Sequence, residues 1–302
     1  MLASLRALLA GSVDYAGLFP PASLALEPAL QNYAAYLRDP DVWMLGGFVL
    51  PIASFEEAAG GLSKFDVEDR LRVSALAPKT ENAPEFMSAL TATAEGIRAF
   101  DARHGATASV TQVEMALPTQ PGASVTEASA VLADLNIPVF WEAVPDDAER
   151  TIGFLSERAW SSTNFGFKLR TGGVIASAFP SSIQIARALV AAVKHRVPIK
   201  FTAGLHHPVR RFHTSVQTKM HGFLNVLGAG VLAAEHEWDV QQSARMLEDE
   251  DASAFSFDDL GFAWNEWKVS TERIAEHRKL VTSFGSCSFD EPREDLRALG
   301  LF

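Results

Sequence analysis

The sequence predicts a (β/α)8 (TIM) barrel, an α/β fold of parallel strands closed on themselves. Three observations predict it. Short apolar or β-branched runs alternate with amphipathic helical stretches along most of the 302 residues, the pattern of parallel strands joined by helical crossovers. Several of these runs stop at a proline, which cannot donate to a ladder and restrains the residue before it: Pro51 after GGFVL, Pro78 after VSALA, Pro118 after EMAL and Pro145 after FWEAV. No Gly-rich dinucleotide loop follows the first strand, which places an open doubly wound parallel sheet second. Barrels of this kind run to about 250 residues and more as one domain, so one domain over 1–302 is expected, with 48% hydrophobic residues to fill its core.

The elements follow in order. Met1–Ala10, interrupted by Arg6, reads as a short helix. Strands are expected at Val13–Ala16, Met44–Leu50, Leu71–Ala77, Ser109–Leu117, Ile137–Val144, Phe165–Arg170 and Pro198–Thr202. Ser54 and Ser181 stand three residues ahead of Glu57 and Gln184, in capping-box order for the helices after them. The eighth strand is sought at Phe255–Phe257 or Gly261–Trp264, ahead of a helix at Ser270–Leu280. Segment 283–302, rich in small hydroxyl residues and turn formers at its start, is expected as a loop closing on the barrel mouth.

Composition narrows the function. A net charge of −11 argues against a dedicated nucleic-acid binder. Apolar stretches fall short of the ~20 residues needed to cross a bilayer. The single cysteine, Cys287, excludes an intrachain disulfide and fits a reducing, cytoplasmic setting. No cofactor is implied. A homo-oligomer is compatible with the composition.

The charge is unevenly spread. From Arg158 to Ala234 there is no Asp or Glu, yet 10 of the 26 bases and five of the eight histidines lie there, leaving 16 bases against 37 acids elsewhere. A cation-rich region in an anionic protein is most simply a trap for a small anionic substrate. Strand alternation sorts these bases, because residues two apart share a face. With Phe167 and Leu169 facing the helices, Lys168 and Arg170 point into the barrel; with Ile199 and Phe201 outward, Lys200 and Thr202 point inward. Gln112 and Glu114 share the inner face of their strand, and Glu142 joins them if Trp141 faces out. The centre then carries Lys168, Arg170 and Lys200 against at most two carboxylates, a net positive charge where barrels build active sites.

Phe-Lys-Leu-Arg-Thr-Gly-Gly at 167–173 and Ile-Lys-Phe-Thr-Ala-Gly at 199–204 resemble consecutive strands of class I aldolases similar to deoxyribose-phosphate aldolase. The resemblance covers about 40 residues strongly. It implies Lys168 as the Schiff-base nucleophile, Lys200 as the cation that depresses its pKa, and Glu114 as a proton shuttle. Arg170 departs from the small hydroxyl residue usual there, and Ala203-Gly204-Leu205-His206-His207 replaces a Gly-Gly turn. Read without the resemblance, the same cations suit carbon–carbon lyase chemistry on an anionic carbonyl compound, phosphate binding in a transferase or isomerase, or ligand binding without catalysis.

The loops add candidates for substrate binding. Thr171, Gly172 and Gly173 lead toward a helix start that could cradle an anion, or form an ordinary turn. His206, His207 and Arg210 lie on a loop too polar for core. Tyr15 follows the first strand as a hydrogen-bond donor or a packed ring. No metal site is expected, because the histidines lack a compact zinc spacing and sit among cations. Cys287 reads as a buried small residue unless a base lies near it.

Overall fold

A computed structural model describes residues 2–118, 128, 131–132, 134–158 and 165–302. Its strands, numbered along the chain, are β1 (Val13–Tyr15), β2 (Leu45–Pro51), β3 (Leu71–Leu76), β4 (Ala108–Ala116), β5 (Val139–Glu142), β6 (Phe165–Arg170), β7 (Ile199–Thr202), β8 (Arg211–His213), β9 (Thr218–Met220), β10 (Phe255–Phe257), β11 (Gly261–Trp264), β12 (Trp267–Ser270) and β13 (Val281–Ser286). β1 to β7 and β13 form a closed barrel in which every neighbouring pair is parallel. Closure is made at β1, whose Val13 pairs with Leu45 of β2 and Phe284 of β13. The fold is the expected (β/α)8 barrel.

The helices cover the barrel with the apolar residues that alternation turns outward. Trp141 packs on Phe86 of helix Ala83–His104, and Phe284 stacks on Phe223 of helix Phe223–His236. Ser181 and Gln184 form the expected capping box on helix Ser182–His195. Ser54 does not cap. It already lies in a 3-10 turn, Ile52–Ser54, so its backbone lacks the extended conformation a capping residue needs. The apolar stretch 176–195 is long enough by composition to cross a bilayer, yet in the barrel it buries Ile185, Ala188, Leu189 and Ala192 against its neighbours.

The eighth strand differs from expectation. Phe255–Phe257 and Gly261–Trp264 are β10 and β11 of a separate three-stranded antiparallel sheet with β12; the eighth barrel strand is β13. Small residues on β13, Ser283 and Gly285, hide its strand character, leaving Val281 and Phe284 to carry the apolar signal. Segment 283–302 therefore begins inside the barrel wall and continues as helix Asp290–Ala298.

Candidate active site at the barrel mouth

Charged side chains from five strands meet in one polar chain. Lys200, 0% exposed, donates to Asp14 Oδ2 at 2.7 Å and to Glu114 Oε1 at 2.6 Å. Lys168, 4% exposed, lies 2.7 Å from Glu114 Oε2 and 2.9 Å from Glu142 Oε2. Register explains the contacts: Lys168 pairs with Lys200 across β6 and β7, and Glu142 with Lys168 across β5 and β6. Neutral donors complete the chain. Ser74 donates to Glu114 Oε1 at 2.8 Å, and Gln112, Ser283 and the Gly47 amide all donate to Asp14. Gly46 leaves the room this needs, since a Cβ there would collide with the Asp14 carboxylate.

Three carboxylates thus face two ammonium groups, so the centre is anionic, not cationic as the sequence implied. Asp14 is the carboxylate that was missed, although Val13-Asp14-Tyr15 alternates like the other strands. Arg170 also departs from expectation. It ends β6, and its exposed side chain reaches the cavity mouth, not the centre. Burial works against the charge on Glu114, but Lys168 and Lys200 outweigh it and hold the carboxyl well below the usual range. Burial likewise opposes the charge on Lys200, and Asp14 and Glu114 overcome it, raising its pKa.

A cavity of about 250 Å³ opens above this chain, with Glu114 and Lys168 among its lining residues. Arg170, Gly173, Thr202 and His206 also line it, together with Phe19, Pro20, Leu76 and Cys287. Arg170 makes no ion pair with a described residue, and Thr202 Oγ1 is buried without a hydrogen-bond partner. Glu142 does not line the cavity but holds Lys168 from the side.

The other candidates lie off the cavity lining. Thr171 is buried and donates to the Ala203 carbonyl at 2.6 Å, while Gly172 packs its backbone against Gly204. These two tie the turns after β6 and β7 together. His207 faces Asp295 at 2.6 Å and accepts from Arg211 at 3.1 Å; burial, the largest influence, lowers its pKa. Arg210 contacts Ser182 and His221 at 3.4 Å. Tyr15 is buried among Tyr33, Tyr36 and Phe48, and its hydroxyl accepts from Asn32 at 3.3 Å. The helix start near 181 is capped by its own side chains, and Gln184 donates onward to Asp146.

Cys287 has the nearby base that sequence adjacency could not show. Its Sγ lies 4.0 Å from His206 Nδ1, which is also 3.0 Å from Glu291 Oε2. Among the described residues, no group of three or more His, Cys, Asp or Glu is placed to hold a metal ion.

No family model matches the chain, and no curated protein does. Among solved structures, the chain is similar to a probable 2-pyrone-4,6-dicarboxylic acid hydrolase from Acinetobacter baumannii, crystallised with citric acid bound. The two share 14% identity over 63% of this chain and 69% of that one, with a TM-score of 0.33. A likeness at that level says nothing about chemistry.

Proposed function

We propose that the chain is an enzyme of carbonyl chemistry, a class I aldolase-like carbon–carbon lyase in which Lys168 forms a Schiff base with a small anionic substrate. The supporting observation is the bridge of Glu114 between Lys168, which reaches the cavity, and Lys200, which does not. Condensing an ammonium group with a carbonyl compound gives an iminium ion and water, so Nζ carries one positive charge before and after. The carboxylates of Glu114 and Glu142 that face the ammonium therefore face the iminium at little electrostatic cost. Glu142, 2.9 Å from Nζ, stands where it can accept the proton that Nζ must shed before it attacks, whereas Glu114 is held too far below the usual carboxylate range to serve as that base. Lys200 keeps Glu114 ionised and in place. This differs from a bare cation beside Lys168, because its charge is already matched by Asp14 and Glu114. Arg170, at the mouth, is the group left to meet an anionic end of the substrate.

Sodium borohydride trapping with a panel of 2-oxo acids and phosphorylated aldehydes, followed by peptide mass spectrometry, tests the reading. The expected result is a reduced adduct on Lys168. A substrate that is turned over yet leaves no adduct on Lys168 removes the Schiff base. In that event retained turnover in Lys168→Arg favours a transferase or isomerase in which the lysine only binds. Binding with no turnover across the panel favours a ligand-binding barrel.

A further inference from the structure

The cavity above Lys168 has a second chemically competent wall. The turn after β7 supplies His206, the residue just after β13 is Cys287, and the first turn of helix Asp290–Ala298 supplies Glu291. Ala203 and Gly204 make that turn possible, both with positive φ, at 63° and 76°. Burial disfavours the charged imidazole, but Cys287 and Glu291 outweigh it and push His206 up to about 9, so the ring is protonated at neutral pH. Both partners address Nδ1, so Glu291 fixes the charge and position of the ring directly beside the sulfur. Thr202 lines the same cavity, while its Oγ1 is itself buried and without a partner.

We propose that Cys287 is a second nucleophile of this cavity, an acyl-accepting sulfur that works with His206 as proton donor. The substrate class is a small activated carboxylic ester or thioester. Attacking as the thiolate, Sγ bonds to the carbonyl carbon as the C=O electron pair moves to oxygen; when that pair returns, the alcohol or thiol leaves with the proton carried by His206. The neutral imidazole then draws a proton from the water that hydrolyses the enzyme thioester, releasing the acid and returning Cys287 and His206 to their starting forms. This centre uses a different nucleophile and breaks a different bond from the Lys168 chemistry, so either can stand without the other.

The test uses the full chain and p-nitrophenyl acetate. The expected result is a burst of one p-nitrophenol per chain, with the acetyl group mapped to Cys287 by mass spectrometry. His206→Gln should slow the burst by about 100-fold, and Cys287→Ala should abolish it. Because either variant can fail to fold, a second measurement uses the unaltered protein alone: iodoacetamide should label Cys287 faster in the native state than in urea. An acetyl group on Lys168 instead of Cys287, no burst, or slower labelling in the native state would each overturn the proposal.

Discussion

Glu114 is the shared acceptor of two lysines, taking Lys168 Nζ on Oε2 at 2.7 Å and Lys200 Nζ on Oε1 at 2.6 Å. Both of its oxygens are thus committed, and Ser74 adds a third hydrogen bond to Oε1. Glu114→Gln keeps the shape but removes the charge between two buried ammonium groups. Breaking a buried pair from one side costs about 3–5 kcal/mol, and Lys200, fully buried, has only Asp14 left to balance it. Urea unfolding should show a loss in that range. A loss below about 1 kcal/mol, the scale of exposed pairs, would mean the bridge contributes little.

Arg170 should govern substrate affinity more than turnover. Its guanidinium is exposed at the cavity mouth and engaged by no described carboxylate, whereas both lysines are spent on internal pairs. A charge-assisted hydrogen bond contributes about 1.5–3 kcal/mol. Arg170→Ala should therefore raise KM for an anionic substrate by roughly 10- to 100-fold and change kcat much less. An equal fall in kcat with KM unchanged would place Arg170 in the chemistry instead.

How far the site was legible in the sequence depended on whether strand alternation reached the residue. Period two placed Lys168, Lys200 and Glu114 on the inner face, and the outward packing of Trp141 settles the side of Glu142. The same rule, carried to Val13-Asp14-Tyr15, would have given Asp14 and with it the sign of the central charge. Alternation could not place Arg170 at the rim, because β6 ends there. Nor could it join His206 to Cys287, 81 positions apart, since only the pairing of β7 with β13 in the barrel brings them together. The barrel itself was readable from seven strand–helix units, while β13 was masked by the small residues that make room for its neighbours.

Stability should fall on the alkaline side through His206. Its pKa is raised to about 9 in the folded chain against 6.5 for the free side chain, by Cys287 and Glu291 acting against burial. A group raised on folding contributes fully below the unfolded value, and the contribution disappears as pH rises through the folded one. The window is therefore about 6.5 to 9, and the amount on the order of 3 kcal/mol. Urea midpoints measured across that window should fall for the unaltered protein and fall less steeply for His206→Gln. Parallel pH profiles in the two proteins would show that the ring is not held charged.

Stability on the acid side should report His221, whose shift has the opposite sign. Burial is the main cause, with the nearby Arg210 guanidinium adding to it, and together they lower its pKa to about 4 despite the hydrogen bond with the Pro180 carbonyl at 2.8 Å. The neutral ring is the form that fits: Nε2 donates to Pro180, and Nδ1 faces Arg210 Nη1 at 3.4 Å. A histidine kept neutral by folding contributes stability that is complete above the unfolded value of 6.5 and is lost as pH falls toward 4. While the unfolded chain is protonated and the folded one is not, the loss is about 1.4 kcal/mol per pH unit. His221→Gln retains an amide donor for Pro180 and cannot titrate, so its midpoint should change less between about pH 6.5 and 4. The carboxylates titrating at the low end of that range are common to both proteins, so the difference between the two profiles isolates the ring. A difference that stays constant across the window would mean His221 is already charged in the folded protein, and that Arg210 lies too far from Nδ1 to oppose it.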